Sequence, residues 1–234
     1  MKRLLYLSLF FNLLAIGAGG FAVNRLGGFK HVFLRLQRTT EGLYHHRAQH
    51  FERLSESPGC IIFLGDSQTE QAEWREIFPD GPVVLNRGIS GDYTGALLER
   101  LPEVIRHKPL KIFLLIGVND LAFGNSVPEI ETAYRTIVQK IRTESPDTEL
   151  YLQSLLPVNN DVRHVGVKNA KIVEVNARVA QIAHDFALPF LDIATPLKDA
   201  DGRLAAKFTE DGLHINGLGY MVWKKEIERL VQVK

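Results

Sequence analysis

Cys60-Ile61-Ile62-Phe63-Leu64-Gly65-Asp66-Ser67 is the stretch that decides the fold. Residues 61–64 form a continuous apolar run, closed by Gly65. An unbroken run, in contrast to an alternating one, marks a strand buried on both faces, as in parallel sheets covered by helices. Outward from it the pattern recurs. Val83-Val84-Leu85 ends at Asn86, residues 111–116 end at Gly117, and Leu150 to Leu152 and Pro189-Phe190-Leu191 supply two more runs. Between them lie segments with apolar residues at helical spacing. Residues 93–107 carry Leu97, Leu98, Leu101, Val104 and Ile105, and residues 130–143 carry Tyr134, Ile137, Val138 and Ile141. Residues 170–186 carry Ile172, Val175, Val179, Ile182 and Ala183, and residues 217–231 close the chain with Tyr220, Val222, Trp223, Ile227 and Leu230. Strand–helix alternation with short connections predicts an α/β domain over 58–234, with a central parallel sheet of about five strands flanked by helices.

In such a sheet, ligands bind beyond the carboxyl ends of the strands. The polar residues fall there. Gly65-Asp66-Ser67 follows the first run, Asn86-Arg87-Gly88-Ile89-Ser90-Gly91-Asp92 the second, and Gly117-Val118-Asn119-Asp120 the third. Asp211-Gly212-Leu213-His214 precedes the last helix. A serine hydroxyl becomes an effective nucleophile when a base takes its proton. His214 is the candidate base for Ser67, and Asp211 the carboxylate that fixes its tautomer. Attack on an ester carbonyl makes an oxyanion, which needs preorganised donors. The backbone amides of Ser67 and Gly91 and the side-chain amide of Asn119 are candidates. Each residue alone has a plainer reading. Ser67 followed by Glu70 fits a helix capping box, Asp211-Gly212 fits a turn, and Gly91 and Asn119 could make or cap one. Their joint occurrence at the expected ends of elements points to a serine hydrolase.

The rest of the chain sets bounds. Its 234 residues are 45% hydrophobic and carry a formal net charge of +1. They allow one good-sized domain plus an appendage, and give no overall field favouring nucleic acid. Cys60 is the single cysteine, so no internal disulfide forms, and its place before the apolar run predicts a core residue. Lys2-Arg3 precedes a largely apolar stretch, residues 4–23, of about bilayer-spanning length. Residues 1–23 are expected to be a secretory signal peptide or an uncleaved membrane anchor, with the catalytic domain extracytoplasmic (periplasmic, cell-surface or secreted). Residues 24–57 read as a linking or amphipathic helix. His46 and His50 sit at i, i+4 there, without acidic or cysteine partners, and read as a solvated face. No metal or other cofactor is expected.

On these blocks the chain resembles the SGNH (GDSL-type) hydrolases, a family of esterases, lipases and carbohydrate deacetylases. Gly65-Asp66-Ser67 is similar to the family's block one, with Gln68 where many members have Leu or Ile. Gly91 matches the block-two glycine, Gly117-Val118-Asn119-Asp120 block three, and Asp211-Gly212-Leu213-His214 block five. The resemblance runs from about residue 44 to the end, and is strongest to the platelet-activating-factor acetylhydrolase-like and sialate O-acetylesterase-like branch. It implies a three-layer, flavodoxin-like fold. It implies Ser67, Gly91 and Asn119 as nucleophile and oxyanion donors, with Asp211 and His214 completing the site.

The expected substrate is a small-molecule or glycan ester carrying a short acyl group, acetyl first. A lysophospholipase, an O-acyltransferase and an inactive glycan-binding protein are the alternatives. Asp66, Asn159 and Asn160 are candidate substrate contacts; Asp66 and Asp120 are also expected to hold loop amides near Ser67 and Asn119. Trp74, Phe78 and Tyr93 are read as pocket lining or core. Oligomeric state is not legible.

Overall fold

The protein is described from a computed structural model, which covers residues 42–232. The apolar segment read as signal peptide or anchor lies outside the described residues, as does the linking segment before residue 42. From that segment a helix, α1 (Gly42–Arg53), is present. No helix among the described residues is long and apolar enough to cross a membrane.

The described residues from His46 onward form one compact unit. Its centre is a sheet of five parallel strands in the order β2-β1-β3-β4-β5. These are β1 (Ile61–Gly65), β2 (Val84–Gly88), β3 (Lys111–Leu115), β4 (Glu149–Gln153) and β5 (Phe190–Leu191). The helices are α2 (Ser67–Glu70), α3 (Trp74–Ile77), α4 (Thr94–Arg106), α5 (Val118–Ala122), α6 (Val127–Glu144), α7 (Asn169–Asp185) and α8 (Gly217–Val231). The two unbroken apolar runs behave as their sequence predicts: every residue of β1 and β3 is buried. Lys111 is no exception in kind. Its stem is buried while its Nζ reaches the Leu230 carbonyl at 2.7 Å.

Parallel register puts Phe63 of β1 beside Phe113 of β3, and Phe113 beside Tyr151 of β4. Side chains in register share a face, so the three rings stack in a row, with centroids 5.0 and 4.7 Å apart. Trp74 extends the row at 3.8 Å from Phe63, and Trp223 of α8 meets Trp74 edge-on. Trp74 and Phe78 are therefore core and do not line a pocket. Elsewhere α4, α6 and α7 pack side by side. Cys60 is buried, and burial pushes its thiol up to about 11, which keeps it protonated.

Several boundaries differ from the periodicity. Helix α6 begins three residues before the expected 130, because Ser126 and Glu129 form a capping box with Pro128 in the first turn. Strand β5 has only two residues, and the long connection after it runs through 3₁₀ turns at Thr195–Leu197 and Ala206–Phe208.

Candidate active site

The site begins where β1 stops. A Cβ on Gly65 would lie 2.1 Å from the Leu115 carbonyl oxygen and 2.4 Å from Thr69 Oγ1. Only glycine lets the chain leave the strand so close to its neighbours. Asp66 then caps α2, its Oδ1 accepting the Gln68 N–H at 2.9 Å. Ser67 is thus the first residue of the helix and not its cap, which corrects the capping-box alternative. Its hydroxyl meets His214 instead: Oγ lies 2.9 Å from Nε2. On the other side of the ring, Nδ1 lies 2.6 Å from Asp211 Oδ2. The second oxygen of Asp211 accepts the N–H groups of Leu213 and His214 at 2.9 and 2.8 Å. One carboxylate therefore holds both the turn and the imidazole. Burial works to raise the Asp211 carboxyl, but the bonds from His214 and the two backbone amides outweigh it and bring it to about 2. An ionised Asp211 holds the proton on Nδ1, which leaves the Nε2 lone pair for the serine hydroxyl.

The block-two loop turns at residues 89–92, closed by the Asp92 N–H on the Ile89 carbonyl at 3.1 Å, with Gly91 at φ 78°. That left-handed conformation favours glycine. Asn119, at the start of α5, donates through Nδ2 to the Asp92 carbonyl at 2.8 Å. This uses one of the two amide hydrogens. Asp92 is fully buried and paired with Arg100, whose Nε lies 2.8 Å from Oδ2. The same guanidinium donates through Nη2 to the carbonyls of Gly65 and Arg87 at 3.1 and 2.9 Å. Arg100 thus ties the ends of β1 and β2 to the loop that carries Gly91.

Several expected contacts are elsewhere. Asp66 is fully buried, so it reaches no substrate; burial first, then the nearby charges of Asp92 and Asp120, push its carboxyl up to about 7 against the pull of the Gln68 amide. Asp120 accepts the N–H and hydroxyl of Thr94 at 3.0 and 2.6 Å and the Asn125 Nδ2 at 3.0 Å, so it fastens the start of α4 and the segment after α5 to the helix that begins beside Asn119. The side chains of Asn159 and Asn160 both bond to the chain itself. Asn159 donates to the Leu204 carbonyl at 2.7 Å and accepts from Asp161 and Val162 N–H groups. Asn160 donates to the Val167 carbonyl and accepts from the Val165 N–H. Both shape the loop on which the His214 turn rests. The Asn159 N–H donates to the Gly212 carbonyl at 2.7 Å, and a Cβ on Gly212 would lie 2.3 Å from the Asn159 oxygen.

Sequence reasoning missed three supports. Arg100 is one, signalled by a charged residue set into the apolar stripe of Leu97, Leu101 and Val104. Gln68 donates to the Leu213 carbonyl at 2.5 Å, and Tyr220 donates to the Gln68 carbonyl at 2.8 Å. Together they couple α2, the His214 turn and α8. His46 and His50 are exposed, and among the described residues no group of His, Cys, Asp and Glu is arranged to hold a metal ion.

A parallel α/β sheet with serine, imidazole and carboxylate in hydrogen-bonded series at its carboxyl edge defines an acyl hydrolase of the three-layer class. Within that class the GDSL-like Lipase/Acylhydrolase family matches residues 63–222, and the chain belongs to this family of carboxylic ester hydrolases. It is 30% identical over 179 residues to platelet-activating factor acetylhydrolase IB subunit alpha2 of Homo sapiens, covering 73% of this chain and 75% of that one. A solved structure from Streptococcus pneumonia, provisionally named a platelet activating factor, is 30% identical with a TM-score of 0.76, over 86% of this chain and 99% of that one. An acetylxylan esterase of Geobacillus stearothermophilus shares the fold at a TM-score of 0.62 and 19% identity, over 77% of this chain and 97% of that one.

Proposed function

We propose that the protein is a serine esterase that releases short acyl groups, acetyl first, from small-molecule or carbohydrate esters outside the cytoplasm. The observation that carries this reading is the Ser67–His214–Asp211 series, with its 2.9 and 2.6 Å links. His214 Nε2 takes the Ser67 proton as Oγ attacks the ester carbonyl. The tetrahedral oxyanion is received by the Ser67 and Gly91 N–H groups and by the second amide hydrogen of Asn119. The C–O bond to the alcohol then breaks, and Nε2–H protonates the leaving oxygen. Water attacks the acyl-Ser67 ester by the same route, with His214 again as base, and releases the carboxylic acid. Asp211 stays ionised throughout and stabilises the imidazolium.

The acetyl preference draws support from relatives and neighbours named acetylhydrolase and acetylxylan esterase. The location rests on the apolar N-terminal segment with its basic flank. Hydrolysis of p-nitrophenyl esters from acetate to long-chain acyl tests the reading. Turnover that falls with chain length is expected, and turnover that rises with it would move the substrate to long-chain lipid esters.

A further inference from the structure

Arg47 of α1 precedes the stretch that the family matches, yet it reaches the end of β2 and the helix that begins at Ser67. Its Nε donates to the Gly88 carbonyl at 2.7 Å and lies 3.2 Å from Glu70 Oε1. The other oxygen of Glu70 accepts the Ser90 N–H. Glu70 is the last residue of α2, three after Ser67, and its own N–H returns to the Asp66 carbonyl at 2.9 Å. The end of β2 lies directly against it, since a Cβ on Gly88 would sit 2.2 Å from the Glu70 nitrogen. Glu70 therefore joins the helix that carries Ser67 to the loop that carries Gly91. Its grip on the Ser90 N–H fixes the loop just before Gly91. On the far side of Gly91, the loop is held by the Asp92 N–H on the Ile89 carbonyl and by Asn119 on the Asp92 carbonyl.

We infer that Glu70, braced by Arg47, is a positioning residue that sets the separation between the Ser67 hydroxyl and the Gly91 oxyanion donor. The inference rests on the hydrolase reading above. Arg47 is not a loose surface side chain. Its guanidinium carbon lies 5.0 Å from the ring centroid of Phe51, and Arg87 approaches the same buried ring at 4.4 Å. Arg106 fastens the end of α1 by donating to the Phe51 and Leu54 carbonyls, each at 2.8 Å. The Arg47–Glu70 pair is itself partly exposed, at 31% and 24%. A pair of that kind adds little to stability. Its removal should therefore register in the chemical step and not in unfolding, which separates positioning from a merely structural role.

The test uses the full chain with p-nitrophenyl acetate, and compares wild type, Ser67→Ala, Arg47→Ala, Arg47→Lys, Glu70→Ala and the Arg47→Ala/Glu70→Ala double variant. Losing a whole oxyanion donor costs about 10²–10³ in kcat, and misplacing one should cost part of that, about ten-fold. Each single loss variant is expected to lower kcat to about that extent with little change in KM or melting temperature. The double variant should fall no further than the worse single one, and Arg47→Lys should recover part of the loss. Singles with wild-type kcat, or losses of kcat that simply follow losses of melting temperature, would overturn the inference. If Glu70→Ala fails to fold, Arg47→Ala decides alone, because it alters a partly exposed side chain. A wild-type chain without Ser67-dependent turnover would overturn the hydrolase reading, and this inference with it.

Discussion

At the scale of single residues, the chemistry turns on how few groups each side chain has to satisfy. Asn119 gives one amide hydrogen to the Asp92 carbonyl, and the other is the one we propose for the oxyanion. Asn119→Ala removes both the donor and a brace of the Gly91 loop, so kcat should fall by roughly 10²-fold or more, read from steady-state ester hydrolysis. Asp66 behaves oppositely to Asp211. Its folded carboxyl is raised to about 7, above the ordinary value of a free aspartate, so the folded state holds its proton after the unfolded chain has lost it. Stability should then decline as pH rises from about 4 towards 7. Asp66→Asn keeps a side-chain oxygen for the Gln68 amide and removes the titration. Melting temperatures across that range should show the wild type losing ground to the variant as pH rises. That Ser67, His214 and Asp211 come together was readable, because their blocks fall where a parallel sheet gathers its loops. The fates of Asn159 and Asn160 were not, because a loop amide facing solvent and one capping its own loop look alike in sequence.

At the scale of elements, the legible parts were those with long-range periodicity. Helix α8 matches its expected span, and α4 and α7 differ by one residue at each end. Four-residue helices such as α2 and α3 carry too little pattern to announce themselves, although α2 begins with Ser67. Its placement depends on backbone contact at two glycines. Gly65→Ala would drive a methyl group into the Leu115 carbonyl, and Gly88→Ala into the backbone of Glu70. Neither obstacle is a flexible side chain. Each substitution should destabilise by about 1–3 kcal/mol or more in urea titration, and should lower activity beyond what the unfolded fraction explains. Wild-type stability in both would mean that α2 sits less tightly on the sheet than the geometry shows.

At the scale of the whole molecule, five strand ends have to be held in register where the loops meet. Arg100 does much of this, joining Asp92 to the ends of β1 and β2 from inside the core. Breaking a buried ion pair by removing one partner costs about 3–5 kcal/mol. Arg100→Ala should approach the lower end of that range in urea titration, because burial already raises the Asp92 carboxyl and eases its neutralisation. The strand order β2-β1-β3-β4-β5 was not legible, since apolar runs reveal that strands are buried but not which neighbour each one takes.

Ser67 as the acyl-accepting nucleophile is the step on which the proposed chemistry depends. Intact mass and peptide mapping after brief reaction with a fluorophosphonate probe test it most directly. One adduct, on the peptide carrying Ser67, is expected in the wild type, slowed strongly by His214→Ala and absent from Ser67→Ala. An adduct on another residue, or full ester turnover by Ser67→Ala, would contradict it.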